Sequence, residues 1–149
     1  MPDFLHRRSF AIEWGHCDPA GIVFNSRFFE FFDWSTWLLF EAALGVPCRD
    51  LPAKFGIASL PLVEARANFL KPVKLNDRVE IASHVSEFRR SSFDVQHRLT
   101  VAGELAVEGG ETRIWAMRIS DEPVKLKGAP VPTEVVERFR IRDPQPPAC

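Results

Sequence analysis

Apolar and polar residues alternate with a two-residue period in several segments of the chain, as they do in half-buried strands. The first such segment is 4–14, where Phe10 and Trp14 fall on the predicted apolar side. Further strands are predicted over 62–70, 78–88, 92–101 and roughly 104–120. Ala102-Gly103 predicts a hairpin turn, whereas Gly109-Gly110 fits either a second turn or a bulge within one long strand.

A single long helix is predicted after the first strand, from about Arg27 to Leu44. Asn25 and Ser26 are good N-caps, and Gly45 stands where helices commonly end. The apolar residues of this helix cover far more than the stripe of a surface helix; they are Phe28, Phe29, Phe31, Phe32, Trp34, Trp37, Leu38, Leu39, Phe40 and Leu44. Other parts of the protein must bury most sides of such a helix. We therefore predict an α+β fold in which one curved antiparallel sheet wraps around it and a second subunit completes the cover.

The remaining elements are short. A small helix is predicted near Arg49 to Phe55 and another near Pro132 to Arg140, and the proline-rich end at about 142–149 is expected to fray. No repeat divides the sequence. At 149 residues it is expected to form a single domain over 1–149.

Composition narrows the classes of protein. A formal net charge of -1 argues against binding to nucleic acid or to an anionic membrane surface. The three cysteines have an odd number and an irregular spacing, which favours a reducing, cytoplasmic compartment over a disulfide framework or a zinc site. No apolar signal core and no stretch of about 18 apolar residues is present. With 13 Phe, 4 Trp and no Tyr, the interior or a pocket should be aromatic.

Asp18 lies in a turn-like stretch, 15–21, that leads directly to the start of the predicted helix. The first amides of a helix have no internal partners, so they stabilise negative charge that develops on a carbonyl oxygen. A carboxylate beside them can attack the carbonyl or deprotonate water. The alternative is that Asp18-Pro19 merely starts a turn. His16, Cys17 and Asp18 are adjacent, so their side chains do not converge as a nucleophilic triad or a metal site, and Cys17 is best interpreted as a packing residue.

The run Ile12-Glu-Trp-Gly-His-Cys-Asp-Pro-Ala-Gly-Ile-Val-Phe24 resembles the signature of the 4-hydroxybenzoyl-CoA thioesterase family, whose members are hotdog-fold acyl-CoA thioesterases. The resemblance continues through the helix, 56–69 and the Arg89-Arg90 region. It implies that Asp18 is the catalytic carboxylate and that the backbone amide of Asn25 holds the thioester carbonyl.

The same resemblance implies that Asp33 accepts a hydrogen bond from a ring hydroxyl of the substrate, and that Arg89 and Arg90 bind the phosphates of coenzyme A. A carboxylate among aromatic residues is costly to bury unless it is paired. Two positions depart from the family pattern. The aromatic residue common at position 25 is Asn25 here, and Ser91 replaces a third basic residue.

The sequence therefore predicts hydrolysis of an acyl-CoA, preferably an aryl one such as a hydroxybenzoyl-CoA, to free acid and coenzyme A without a metal or cofactor. Family resemblance implies a homotetramer, a dimer of dimers with sites at the dimer boundary. Three alternatives stay open. They are a short-chain thioesterase of the Tol-Pal-associated type, a 3-hydroxyacyl thioester dehydratase, and an acyl-CoA-binding module without catalysis. The dehydratases use a histidine with an acidic partner near the helix start, and no histidine stands there.

Overall fold

A five-stranded antiparallel sheet forms the frame of the protein in the computed structural model, which describes residues 4–140. Its strands lie in the order β1-β3-β4-β5-β2, and their bounds are β1 His6–Ala11, β2 Leu62–Phe69, β3 Arg78–Phe88, β4 Ser92–Val101 and β5 Glu104–Ile114. The chain therefore enters at one edge, crosses to the other with β2, and then fills the middle with three strands joined by hairpins.

The long helix, α1, runs from Asn25 to Leu44 and packs on one face of this sheet. It ends at Gly45, whose φ of 68° is the left-handed conformation that glycine adopts without strain. Phe32 on the helix stacks on the ring of His97 in β4 and lies against Gly109 in β5. A Cβ at Gly109 would come within 2.5 Å of the Phe32 ring, so the missing side chain lets helix and sheet approach. The predicted sheet wrapped around one helix is confirmed.

Shorter elements complete the described chain. A 3-10 turn at Cys48–Asp50 leads into α2, Leu51–Phe55, and α3 spans Thr133–Arg138. Strands β6, Ala116–Asp121, and β7, Val124–Gly128, form a separate two-stranded unit, the β6–β7 hairpin. Within residues 4–140, no helix combines the length and the apolar character needed to cross a bilayer.

The start of α1 and the end of β1 differ from their predicted positions. Helix α1 begins two residues early, with Phe24 rather than Asn25 or Ser26 as its N-cap. Strand β1 stops at Ala11, and Trp14 lies in a 3-10 turn with 68% of its surface exposed, not on an apolar strand face. The two-residue period did not reveal this turn because aromatic residues are frequent on both sides of it. The proline-rich end at 142–149 lies outside the described residues.

The predicted long strand at 104–120 is also divided. Gly109 and Gly110 lie in the middle of β5, in register with both β2 and β4, so they form neither a turn nor a bulge. The break comes instead at Trp115, whose amide donates to the carbonyl of Ser91 at 2.8 Å. Trp115 itself is buried, and an apolar residue at a strand break leaves no signature in the alternation.

Candidate active site

Asp18 lies in a tight loop between β1 and α1. Cys17 and Val23 form an isolated antiparallel bridge, and the amide of Asp18 donates to the carbonyl of Ile22 at 2.9 Å. Gly21 closes the loop with a φ of 78°. The carboxylate is half-buried: Oδ1 accepts a 2.8 Å hydrogen bond from the amide of Ala20, and Oδ2 has no partner among the described residues. One carboxylate oxygen is thus fixed and the other is open.

The N-terminus of α1 follows on the second limb of this loop, which the amide of Phe24 ties back to the carbonyl of His16 at 2.9 Å. Phe24 has no side-chain acceptor, and no side chain caps this helix end. The first amide of the helix, at Asn25, donates no hydrogen bond to a described residue and can therefore bind a ligand. A cavity of about 240 Å³ adjoins Asn25 and is walled by Phe28, Phe69 and Leu70. The loop combines an open carboxylate oxygen, an uncapped helix end and adjacent apolar space.

His16 and Cys17 have structural contacts in this loop. The Nδ1 of His16 accepts a hydrogen bond from the amide of Glu13 at 3.0 Å, and its ring packs edge-on against Phe31. Cys17 is half-buried and packs against the apolar cluster that contains Ile12 and Val23, as predicted for a packing residue. Both side chains therefore contribute to the folding of the loop.

Asp33 is exposed over about half of its side chain and is paired with a buried arginine. Arg113 in β5, with only 3% of its side chain exposed, places Nη2 2.6 Å from the Oδ1 of Asp33. The same guanidinium donates to Glu111 from Nε and Nη2, at 3.2 and 2.8 Å, and to the carbonyl of Leu60 from Nη1, at 3.0 Å. This pairing offsets the cost of placing a carboxylate among aromatic residues.

Glu111 connects Arg113 to a buried polar cluster between helix and sheet. Its Oε1 accepts hydrogen bonds from the hydroxyl of Thr36 and from Nε2 of His97, the latter at 3.1 Å. Because Glu111 is the acceptor, Nδ1 of a neutral His97 is free to accept from the hydroxyl of Ser83, 2.7 Å away. All four side chains are buried. The chain of contacts extends from the surface carboxylate of Asp33 to the centre of the sheet.

The titration of these groups follows from burial and pairing. Burial alone would raise the pKa of Glu111, but hydrogen bonds from His97 and Arg113 outweigh it and lower the pKa to about 2. Burial lowers the pKa of His97, against the opposing effect of Glu111. Burial would likewise lower the pKa of Arg113, yet its bonds to Glu111 and Asp33 raise it. Near neutral pH the cluster holds one positive charge between two carboxylates, beside a neutral histidine.

Arg89 and Arg90 have different surroundings at the β3–β4 turn. The guanidinium of Arg89 forms a two-point contact with Asp94, at 2.7 and 3.0 Å, and reaches Glu87 at 3.1 Å. Arg90 is exposed, and its side chain forms no ion pair with a described residue. Of the two arginines predicted to bind phosphate, Arg90 is the one that is not paired with a carboxylate of a described residue.

The β6–β7 hairpin adds basic residues that the sequence analysis missed. It starts and ends beside the same turn: Trp115 donates to the carbonyl of Ser91, and Val131 donates to that of Arg90, both at 2.8 Å. Lys125 and Lys127 stand two residues apart in β7, are exposed, and form no ion pair within residues 4–140. The alternation of lysine with Val124 and Leu126 is the signal that would have predicted this strand.

Comparison with known proteins places these features in a family. A family model described as the thioesterase-like superfamily matches residues 12–139. The chain belongs to the thioesterase-like superfamily. Membership confirms the resemblance seen in the sequence, the fold class and the enzyme class of thioester hydrolase.

Two enzymes named as coenzyme A thioesterases are similar to this chain. The 4-hydroxybenzoyl-CoA thioesterase of Pseudomonas sp. (strain CBS-3) is 30% identical over 131 residues, covering 85% of this chain and 91% of the relative. The solved structure of that enzyme superposes with a TM-score of 0.82 at 27% identity, covering 90% of this chain and 98% of the other. A gentisyl-coenzyme A thioesterase structure has a TM-score of 0.74 at 29% identity, covering 88% and 99% of the two chains.

Proposed function

We propose that this thioesterase hydrolyses an aryl acyl-CoA, of the hydroxybenzoyl type, to free acid and coenzyme A. The observation that carries the proposal is an open oxygen of Asp18 in the same hydrogen-bonded loop as the uncapped amide of Asn25. Two of the similar enzymes are named for hydroxylated benzoyl thioesters, 4-hydroxybenzoyl-CoA and gentisyl-coenzyme A. The cytoplasmic location inferred from the cysteine pattern stays a prediction.

In the proposed reaction the thioester carbonyl accepts a hydrogen bond from the Asn25 amide, at the positive end of the α1 dipole. Two routes are open. In one, Asp18 attacks the carbonyl carbon, the C–S bond breaks with release of the coenzyme A thiolate, and water hydrolyses the resulting mixed anhydride. In the other, Asp18 removes a proton from water as the water attacks, the thiolate leaves from the tetrahedral intermediate, and Asp18 gives the proton to the thiolate or to solvent. Both routes return Asp18 to its starting carboxylate.

Recognition of the two ends of the substrate is assigned to separate groups. Asp33 is proposed to accept a hydrogen bond from a hydroxyl on the aryl ring, since its Oδ1 is engaged by Arg113 and Oδ2 has no partner among the described residues. Arg90 is proposed to bind phosphate, with Arg89 in a lesser role because Asp94 and Glu87 already bind it. Lys125 and Lys127 are proposed to supply the positive charge that Ser91 lacks.

The active form is proposed to be a homotetramer, a dimer of dimers. In one chain the edge strand β2 is exposed along nearly all its length, including Leu62, Val63 and Phe69. Phe29 and Trp34 of α1 are also exposed, at 38% and 52%. These are exposed apolar residues of the kind that a subunit contact buries, and β2 is a strand edge with which another chain can pair.

Substitution of Asp18 by Asn tests the proposal. The amide oxygen of Asn retains the bond from Ala20, so folding should be preserved, whereas kcat for release of thiol from 4-hydroxybenzoyl-CoA should fall at least about a hundredfold. The exposed Asp50, whose nearest cation is 3.9 Å away, gives the matched control Asp50→Asn, expected to keep the full rate. An unchanged rate in Asp18→Asn with an unchanged unfolding midpoint would overturn the assignment. Assay of short aliphatic acyl-CoAs alongside separates the aryl from the short-chain preference.

A further inference from the structure

Arg113 forms no hydrogen bond with the Asp18 loop, yet every nitrogen of its buried guanidinium group is engaged by other residues. Its Nε, Nη1 and Nη2 all donate, to Glu111, to Leu60 and to Asp33. Glu111 lies in β5, Leu60 lies just before β2, and Asp33 lies in α1. With every nitrogen committed and 3% of the side chain exposed, the guanidinium plane has little freedom to rotate.

Asp33 is the one member of this set that reaches the surface. Its side chain is 53% exposed, against 3% for Arg113 and 4% for Glu111. Phe29 and Trp37 are the i−4 and i+4 neighbours of Asp33 on the helix, so aromatic residues flank the carboxylate. A lone aspartate in such a place would take several rotamers. The 2.6 Å contact with Nη2 selects one of them and leaves Oδ2 without a partner among the described residues.

The net charge of the cluster favours an uncharged hydrogen-bond donor at Oδ2 of Asp33. Asp33 and Glu111 each carry one negative charge and Arg113 one positive charge, so with neutral His97 the cluster has a net charge of −1. A hydroxyl can donate to Oδ2 without adding charge. A carboxylate on the ligand would be repelled, and an unsubstituted ring would leave the oxygen without a partner as water is excluded.

We propose that Arg113 is a positioning residue for acyl-group selection: it holds Asp33 by one oxygen so that the other accepts a hydrogen bond from a hydroxyl on the aryl group. This inference rests on the proposed function and deepens it. Glu111 fixes Arg113 in turn, while Thr36, His97 and Ser83 hold Glu111 from within the core.

The variant that isolates this role is Arg113→Lys, which keeps the charge but loses the planar fork that reaches Asp33, Glu111 and Leu60 together. The quantity to measure is the ratio of kcat/KM for 4-hydroxybenzoyl-CoA to that for benzoyl-CoA. Wild type should favour the hydroxylated substrate, and Arg113→Lys should lower the ratio about tenfold. In an Asp33→Asn background the same change should alter the ratio less than about twofold, because the oxygen being positioned has lost its charge.

Val135→Ala is the control for general disturbance of the core, since Val135 is fully buried in α3 and packs in an apolar cluster that includes neither Asp33, Glu111 nor Arg113. It should lower the unfolding midpoint and leave the substrate ratio unchanged. If it moves the ratio as far as Arg113→Lys does, the effect is general disturbance of the core and the proposal is wrong. If Arg113→Lys does not fold, Arg113→Met with Glu111→Gln removes both buried charges together and should give the same loss of preference.

The outcomes separate the two proposals. Release of thiol by wild type from neither ester would refute the proposed function. Release from both, with a wild-type ratio near one or a ratio unmoved by Arg113→Lys, would leave the thioesterase intact and refute the role of Arg113. Loss of preference that disappears in the Asp33→Asn background supports it.

Discussion

Glu111 and Arg113 occupy inward-facing positions of β5, where apolar side chains usually stand. The sequence led to Asp18 and Asn25 because they lie in, or directly after, one contiguous run at 12–24 that resembles the signature of a known family. It did not lead to Arg113, since the contacts of Arg113 with Leu60 and Asp33 span 53 and 80 residues. Alternation alone places Glu111 and Arg113 on one face of a strand, but it does not say which face is buried.

At the same scale, the two arginines of the β3–β4 turn should differ in their contribution. Arg90→Ala should raise KM for a CoA thioester about fivefold, the effect of roughly 1 kcal/mol, with little change in kcat. Arg89→Ala should have a smaller effect on KM because Asp94 and Glu87 already bind that side chain. Steady-state kinetics on the CoA ester and on the matching acyl-pantetheine would check this. If Arg90→Ala raises KM for the acyl-pantetheine, which has no nucleotide, as much as it raises KM for the CoA ester, then Arg90 does not bind phosphate.

At the scale of elements, α1 and the sheet fit closely together at one pair of residues, Phe32 and Gly109. The hydrophobic pattern predicted α1 to within two residues at its start and predicted its end, because Gly45 is an unambiguous stop. It did not predict that Gly109 belongs beneath Phe32, since a glycine pair in a strand suggests a turn or bulge unless the opposing helix is known. Nor did it separate β6 from β5, because the break falls on a buried tryptophan.

Gly109→Ala should therefore destabilise the fold. The new methyl group would lie 2.5 Å from a Phe32 ring carbon, and relief requires moving either the ring or the helix. The free energy of unfolding should fall by about 1–3 kcal/mol in urea denaturation. Gly15→Ala is the control, as its Cβ would meet nothing within 4 Å. An unchanged midpoint for Gly109→Ala would show that the helix is not seated as closely as described.

At the scale of the whole molecule, one chain leaves its β2 edge open. The strand order could not be read from the sequence, because β2 pairs with β5 and skips over β3 and β4. Neither could the exposure of β2, which alternates like a half-buried strand but is exposed on both faces except near Ala67. The proposed tetramer accounts for this exposure, because a second chain that pairs with the β2 edge would bury it.

A charge placed on this edge should disrupt assembly. Val63→Lys is expected to shift the sedimentation profile from tetramer toward smaller species and to reduce activity in parallel, since the proposed sites lie at the dimer boundary. Ile119→Lys on the β6–β7 hairpin is matched in exposure, 59% against 60% for Val63, and should leave the profile unchanged. Intact tetramers in Val63→Lys would exclude β2 from the subunit contact.

Phe24, the N-cap of α1, represents a compromise between stability and catalytic activity. A serine or aspartate there would add roughly 1 kcal/mol of stability to the helix that follows, and most helices of this length accept that gain. The same side-chain oxygen would accept from the amide of Ser26 or Arg27, beside the Asn25 amide, and its lone pairs would repel the negative charge that the proposed hydrolysis develops there. The N-terminus of α1 is thus less stable than it could be, and substitutions chosen to stabilise the protein should leave position 24 unchanged.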